Sequence, residues 1–283
     1  GGLTPSTFDL DDDSDGTLPN TQTYTDVTAG TYGVTEGANS SYAVTISCTD
    51  SSGGTTTDDA SRSTSIALAA GETVECTFVN TRLQGTIELK KHWVGTAGST
   101  TITIGTAAGA GGIDSQAVNG SDGTTGQNVV LTGTYYMSES GGLTNYNSSA
   151  LVCFNDVNNN GIDDDSSPVI VGANDSVSVA NAQHIICTYT NTRKTGKIEL
   201  QKDFIGTPES VTIKIGTSQN GSQVDSDVLS ADGTDGEHTV DTGTLYVSET
   251  LTTPSNYDSA LACFNDVNDD DVIDGGDTSH LVN

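Results

Sequence analysis

Basic residues are scarce in this sequence. Lys and Arg together number 9 in 283 residues, against 38 Asp and Glu, and the formal net charge is −29. Such a charge repels phosphate backbones and anionic lipid, so nucleic acid is excluded as a partner. It also destabilises a compact fold by self-repulsion unless cations offset it, and we expect bound calcium to do so. A halophilic habitat, with high external salt, is the alternative.

Aromatic residues and long apolar runs are also lacking. Aromatic residues make up 5% of the chain and hydrophobic residues 33%. No run approaches the roughly 18 to 20 apolar residues that cross a bilayer, so no membrane span is predicted. Several small β-domains with polar connections fit this composition better than one large enzyme core. The opening Gly1-Gly2, without Met or an apolar signal segment, indicates mature or internal material.

An internal repeat of about 110 residues organises the chain. Two segments align with each other, one beginning GTIELKK at Gly85 and the other GKIELQK at Gly196. Both continue with an I-x-I-G-T strand, a strand that ends in an acid, and the sequence CFNDVN. A more divergent copy lies upstream, where residues 30–36 and 76–82 match the later copies. Alternation of apolar and polar positions predicts half-buried strands, and we find no helical stripe.

Three domains are therefore predicted, at residues 1–84, 85–194 and 195–283. The first lacks its opening strand, and the third stops before its final strand. Either the chain is a window on a longer array, or neighbouring subunits supply the absent strands. In the second case a donated strand pairs with the open sheet edge of the next subunit, and copies join head to tail into a filament.

The five cysteines support the repeat. Cys48 with Cys76, and Cys153 with Cys187, occupy equivalent places in the first two copies, which predicts a disulfide in each. Disulfides indicate an oxidising, extracellular compartment. Cys263 is left unpaired, and its expected partner belongs to the missing final strand, so we expect an intermolecular bridge or one to a residue outside this chain segment.

Two acidic loops carry oxygen atoms at the spacing that calcium loops require. They resemble the loops of EF-hands and dockerins, although Ser167 and Asp271 depart from that pattern. The ligands predicted in the second copy are Asp156, Asn158, Asn160, the carbonyl of Ile162, and Asp164. The ligands predicted in the third copy are Asp266, Asn268, Asp270, the carbonyl of Val272, Asp274 and Asp277.

A weaker third loop contains Asp11, Asp13 and Asp15. An ordinary solvated Asp/Gly turn explains it about as well, and an ion-free network of Asx turns is the alternative for the two stronger loops. No flanking helices are predicted, so the opening motion of a calcium sensor is not expected.

A second group of residues recurs along the repeat. Its complete set is Lys91, Glu139 and Asn191, from the first strand, the acid-ended strand and the last strand of the second copy. The third copy keeps Lys202 and Glu249 without the asparagine. The first copy keeps Glu36 and Asn80 without the lysine.

The motifs G-x-I-x-L-x-K, G-x-Y-x-x-x-E and x-N-T, which carry these residues, resemble the B-type repeats of collagen-binding adhesins and the prealbumin-like domains of SpaA-type pilins. The resemblance implies three tandem immunoglobulin-like or prealbumin-like β-sandwich domains. It also implies a spontaneous Lys–Asn isopeptide bond, in which a buried neutral lysine attacks the asparagine while a protonated glutamic acid polarises its carbonyl. Lys91 is the predicted nucleophile rather than Lys90, because the two-residue period of a strand places it on the same face as Ile87 and Leu89. The alternative is that Lys91 extends from a strand end to solvent and forms a salt bridge with Glu139.

The predicted function is that of a non-enzymatic, extracellular structural subunit of a calcium-stabilised filament, pilus or surface stalk, whose partners are copies of itself. A ligand-binding adhesin is the alternative. An enzyme is disfavoured, because the acids fall in repeat-equivalent loops and no Ser/His/Asp or Cys/His set recurs. Asn-x-Ser sequons, candidate acceptors for glycans, lie at Asn39, Asn119, Asn147, Asn174 and Asn220.

Overall fold

Short strands, most of them paired antiparallel, account for nearly all the regular structure of the described residues. The computed structural model describes residues 2–12, 16–148, 150–164, 166–267 and 277–280. These residues group into two compact units, one of residues up to 93, 97–143 and 148–191, the other of residues 94–96, 144–147 and 192 onwards. The all-β prediction is confirmed, since the described residues include one 3₁₀ helix, at Pro254–Asn256, and no α-helix. Within that part of the chain, no helix has the length and hydrophobicity to cross a membrane.

The first repeat has a small core between two sheets. One sheet has the order β1-β4-β3, and the other pairs β2 with β5. Among its described residues, the buried side chains are those of Val44, Ile46 and Thr64. The predicted Cys48–Cys76 disulfide joins directly opposed residues of β2 and β5. The strands are β1 (Gly30–Thr35), β2 (Tyr42–Thr49), β3 (Thr56–Asp58), β4 (Ser63–Leu68) and β5 (Glu75–Arg82).

The second repeat is a larger β-sandwich. Its strands are β6 (Gln84–Val94), β7 (Ser99–Gly105), β8 (Gly112–Asn119), β9 (Gly123–Thr124), β10 (Asn128–Leu131), β11 (Gly133–Ser140), β12 (Tyr146–Ser148), β13 (Val152–Asn155), β14 (Pro168–Val169), β15 (Ser176–Val179) and β16 (His184–Arg193). One sheet has the order β10-β6-β16-β13-β14, with β9 beside β6 and β12 beside β16, and the other has the order β15-β11-β7-β8.

Alternation along β6 builds the core of this sandwich. Ile87 and Leu89 are fully buried, and Lys91, two residues further on, is 1% exposed, because successive side chains of a strand point to opposite faces. The predicted Cys153–Cys187 disulfide joins β13 to β16 in the same core. The remaining core side chains are apolar and come from both sheets: Ile102, Ile104, Val118, Val130, Tyr135, Met137, Leu151, Val177, Val179, Ile185 and Tyr189.

The first and last strands of this repeat, β6 and β16, are neighbours and run in the same direction. The N–H of Thr86 donates to the carbonyl of Gln183, 2.8 Å away, at the start of both strands. Further along both, Lys91 Nζ donates to the carbonyl of Tyr189 at 3.4 Å. The strand that opens the repeat and the strand that closes it therefore lie side by side.

The third repeat repeats the pattern with a smaller core. Phe204, Val211 and Ile213 form its buried cluster. Sheets pair β17 with β22, β18 with β21 and β24 with β25, and a fourth has the order β20-β19-β23. Cys263 has no disulfide partner in the described part of the chain. The strands are β17 (Thr195–Ile198), β18 (Gln201–Lys202), β19 (Val211–Gly216), β20 (Asp225–Leu229), β21 (Gly233–Thr234), β22 (His238–Asp241), β23 (Tyr246–Leu251), β24 (Cys263–Asn265) and β25 (Thr278–His280).

Candidate functional site

A lysine, a glutamate and an asparagine from three strands meet inside the second repeat. Lys91 Nζ on β6 lies 3.8 Å from Glu139 Oε2 on β11. Asn191 on β16 donates through Nδ2 to the same Oε2, at 3.2 Å. The side chain of Lys91 is 0% exposed and that of Glu139 is 9% exposed, and Asn191 is fully buried. Lys91 and Asn191, predicted to act together with Glu139, therefore both contact its carboxyl group, largely out of solvent.

The lysine amine is held by main-chain and aromatic groups as well. Nζ of Lys91 donates to the carbonyl of His92 at 3.0 Å, and it lies 4.0 Å from the centroid of the Trp93 ring. Oδ1 of Asn191 is buried with no hydrogen-bond partner among the described residues. A buried acceptor without a donor costs about 1–3 kcal/mol. Rotation of the asparagine amide exchanges its two ends, so either Oδ1 or Nδ2 can face Glu139.

Burial lowers the pKa of Lys91 below its ordinary value of 10.5, although the nearby carboxylates of Glu139 and Asp122 oppose that shift. Desolvation disfavours the charged ammonium relative to the neutral amine. The neutral amine is the nucleophilic form of lysine, so the surroundings of Lys91 favour attack on a carbonyl carbon.

The outer repeats hold two-residue versions of this group. In the third repeat, Lys202 Nζ lies 3.0 Å from Glu249 Oε2, with side chains 17% and 26% exposed. In the first repeat, Asn80 donates through Nδ2 to Glu36 Oε1, 2.5 Å away. Arg62 Nη1 lies 3.2 Å from Glu36 Oε2. The glutamate of the first repeat is therefore paired with an arginine, whereas Glu139 of the second repeat is paired with a lysine.

The acidic loop of the second repeat is closed by its own polar side chains. Asp156 is 2% exposed and accepts the backbone N–H of Asn160 at 3.1 Å and of Gly161 at 2.7 Å. Nδ2 of Asn158 and Nδ2 of Asn160 both donate to Asp164, at 3.0 and 2.9 Å. Gly161 has a φ of 79°, which an L side chain rarely adopts, so the glycine permits this tight turn.

This loop presents several oxygen atoms close together. Its four predicted side-chain ligands lie in one hydrogen-bonded network and offer oxygen atoms, the ligand type that calcium prefers. Ile162, whose carbonyl is the fifth predicted ligand, accepts the N–H of Asp164 at 3.0 Å through that carbonyl. Beside the loop, His184 Nδ1 lies 3.5 Å from Asp156 Oδ2.

The other two acidic loops are described in part. Asp277 Oδ1 accepts the N–H of Val267 at 3.1 Å, which brings the last predicted ligand position close to Asp266. Asp11 donates its backbone N–H to the carbonyl of Pro19 at 3.0 Å and lies in no strand. The remaining predicted ligands lie outside the described residues: Asp13, Asp15, Asn268, Asp270, Val272 and Asp274.

Comparison with family models matches residues 1–82 and residues 84–193 to SpaA-type domains, each described as a prealbumin-like fold domain. The chain contains two SpaA-type prealbumin-like domains. SpaA-type domains belong to cell-surface proteins, and the two disulfides agree with an extracellular location. The domain boundaries at 84/85 and 194/195 stay predictions.

One solved structure, of the Bacillus anthracis TIE protein, aligns with 80% of this SpaA-type chain at 13% identity and a TM-score of 0.33. The chain spans 38% of the length of that relative. Comparison with the curated proteins found no match.

Two residues at these SpaA-type sites were not predicted from the sequence, Arg62 and Tyr189. Arg62, which contacts Glu36, lies in the turn between β3 and β4 and has no counterpart in the repeat motif, so no sequence signal marks it. Tyr189 donates to Asp175 Oδ2 at 2.6 Å, and burial raises the pKa of its hydroxyl, as do the hydrogen bond and charge of that carboxylate. Its position two residues before Asn191, on the same face of β16, could have identified it.

Proposed function

We propose that this SpaA-type chain is an extracellular structural subunit of a filament, pilus or surface stalk. The observation that carries the proposal is the buried contact of Lys91, Glu139 and Asn191. Lys91 and Asn191 belong to the first and last strands of one domain, so a bond between them would tie that domain's two ends together. Such a bond serves a protein that bears load, and it turns over no external substrate.

The proposed bond forms by transfer of the asparagine acyl group to the lysine. Neutral Lys91 Nζ attacks Cγ of Asn191, the bond from Cγ to Nδ2 breaks, and the amide bond to Nζ forms. Protonated Glu139 first donates to the carbonyl oxygen, and its carboxyl group then carries a proton from Nζ to Nδ2, so that Nδ2 leaves as ammonia. No oxidant or cofactor is required.

Calcium binding by the acidic loops is the second element of the proposal. Asp156, Asn158, Asn160, Asp164 and the carbonyl of Ile162 would bind the ion in the second repeat. Bound calcium would offset part of the charge of −29, which otherwise opposes close packing of neighbouring domains.

Calcium is expected to stabilise the second repeat, and Asp156→Asn is expected to remove most of that effect. Calcium at about 100 times its dissociation constant adds roughly 2.7 kcal/mol to the free energy of unfolding. The measurement is unfolding in calcium and in chelator for each variant, so that any cost of the substitution without calcium cancels. Calorimetric titration should also show one site fewer in Asp156→Asn.

Asp163→Asn is the matched control, because Asp163 is an exposed acid of the same loop outside the predicted ligand positions. It should keep the calcium increment. An equal increment in wild type and Asp156→Asn would leave only the ion-free Asx network at this loop.

Self-assembly tests the structural role directly. The full chain, concentrated in calcium, is expected to form linear, head-to-tail oligomers visible by electron microscopy and analytical ultracentrifugation, and to lose them in chelator. Monomers under every condition, together with saturable binding to immobilised matrix proteins or glycans, would instead support the ligand-binding adhesin.

A further inference from the structure

Three side chains of metal-ligating types converge at one edge of the third repeat, and none of them is a predicted ligand of the acidic loops. Asp225 opens β20, His238 opens β22, and Asp235 lies in the turn between β21 and β22. His238 Nε2 lies 3.6 Å from Asp235 Oδ2 and 3.8 Å from Asp225 Oδ2. The three ligand atoms all lie within 4.8 Å of one another.

Only one of the two carboxylate oxygens of Asp235, the most buried side chain of this cluster, has a hydrogen-bond partner among the described residues. The side chain of Asp235 is 0% exposed. Its Oδ1 accepts the N–H of Leu200 at 2.8 Å, but its Oδ2 and His238 Nε2 are buried without a hydrogen-bond partner in the described part of the chain. Burial raises the pKa of Asp235 against the opposing effects of the Leu200 N–H and of His238. An unpaired buried carboxylate oxygen is unfavourable, and a cation at this point would satisfy it.

The equivalent positions of the second repeat hold neutral side chains in place of the imidazole and of one carboxylate. Asn128, Thr125 and Asp114 stand where the third repeat has His238, Asp235 and Asp225. The strand registers agree, since Asn128 is opposite Ile87 as His238 is opposite Ile198. There Asn128 Nδ2 donates to Asp114 Oδ2 at 3.2 Å, and Thr125 Oγ1 accepts the N–H of Leu89 at 3.0 Å.

The third repeat has therefore exchanged an amide and a hydroxyl for an imidazole and a carboxylate at an otherwise equivalent site. The exchange removes a direct hydrogen bond between the two edge strands. Two ligand atoms that share a tetrahedral zinc ion, each about 2.0–2.2 Å from it, lie roughly 3.4 Å apart. The spacings of 3.6 and 3.8 Å around His238 Nε2 are closer to that value than to a hydrogen bond.

We propose that Asp225, Asp235 and His238 bind a divalent transition-metal ion, represented here by zinc, which joins β20 to β22 and to the turn that precedes β22. An imidazole ligand favours zinc and related ions over calcium and magnesium, which prefer oxygen ligands. Three protein ligands leave a position for water. None of these three residues is a predicted calcium ligand, and the proposal does not rest on calcium binding by the acidic loops. If no metal binds, the cluster is only a close contact of His238 with two carboxylates, as in an ion pair.

Zinc titration of the full chain, in saturating calcium to occupy the oxygen-only loops, distinguishes these outcomes. Wild type is expected to bind one zinc ion through this site, with an imidazole nitrogen visible in its X-ray absorption spectrum. His238→Asn and Asp235→Thr introduce the residues that the second repeat has at these positions. Because loss of a group that only orients a ligand costs 10–100-fold in affinity, loss of a ligand should cost at least about 100-fold.

Two further variants act as controls. His92→Asn replaces a half-exposed histidine that contacts Asp122 in the second repeat, and it should leave zinc affinity unchanged. Thr125→Asp with Asn128→His transfers the ligand set to Asp114 and should raise the zinc stoichiometry from one to two. Circular dichroism checks that each variant is folded. The proposal is overturned if wild type binds zinc no more tightly than His238→Asn or Asp235→Thr, or binds none, in which case the ion pair alone explains the cluster.

Discussion

The intact full chain is expected to weigh one molecule of ammonia less than its sequence mass, after the hydrogens lost in its disulfides are subtracted. Lys91→Ala and Asn191→Ala should restore that mass, because each removes one partner of the proposed amide bond. Glu139→Gln should restore it as well, since the substitution keeps the shape of the side chain but removes the acid. Tandem mass spectrometry of a proteolytic digest should find a branched peptide that contains both Lys91 and Asn191.

Lys91→Ala should also lower the stability of the second repeat by a large amount. Lys91→Ala removes the bond, and with it the covalent link between β6 and β16. In the loop-entropy model, a cross-link that closes a loop of about 100 residues restricts the unfolded chain by roughly 4 to 5 kcal/mol. Trp93 is the sole tryptophan of the chain and is buried beside Lys91, so its fluorescence during denaturation reports on the second repeat alone.

Lys90→Ala is the matched control for this experiment. Lys90 is the adjacent lysine, is 32% exposed and lies 4.0 Å from Glu88, so its loss should cost at most about 1 kcal/mol. A wild-type mass equal to the sequence mass, again allowing for the disulfides, would exclude the isopeptide bond. The Lys91–Glu139 contact would then be a buried salt bridge.

Loss of the Cys153–Cys187 disulfide should destabilise the second repeat by about 3–4 kcal/mol. The bridge closes a loop with a sequence separation of 34, and such a loop restricts the unfolded chain by roughly that free energy. Both sulfurs lie in the core, so paired Cys153→Ala and Cys187→Ala substitutions avoid burying an unsatisfied hydroxyl. The measurement is the denaturant midpoint of the Trp93 fluorescence.

The first repeat supplies the control for the disulfide. Cys48→Ala with Cys76→Ala removes the equivalent bridge, of separation 28, from a repeat without tryptophan, so the Trp93 transition should be unchanged. Cys263→Ala should also leave it unchanged. If loss of the Cys153–Cys187 bridge shifts the midpoint no more than loss of Cys48–Cys76 does, the bridge does not stabilise the second repeat.

Period-2 alternation was sufficient to predict which lysine is buried. Lys91 follows Ile87 and Leu89 on one face of β6, and the structure buries all three, whereas Lys90 on the other face is partly exposed. Repeat alignment likewise predicted both disulfides, because paired cysteines must occupy equivalent strands in each copy.

Contacts between segments far apart in sequence were harder to predict. Arg62 reaches Glu36 through a loop whose path no repeat motif specifies. His238 and Asp225 belong to different sheets, and only the folding of one sheet over the other brings them within 4 Å. Alignment of the repeats shows that His238 is equivalent to Asn128, but it does not show that the side chain at this position faces a carboxylate.

The parallel placement of β6 and β16 determines how the second repeat would respond to pulling. Tension applied along the chain enters at the start of β6 and leaves at the end of β16, so it acts along the strands and loads their contacts in shear rather than one at a time. A bond from Lys91 to Asn191 would place the roughly 100 intervening residues outside the line of force, withholding about 340 Å of extensible chain. Under load the domain would then behave as a short, nearly inextensible link, and any lengthening of the protein would come from the repeats on either side.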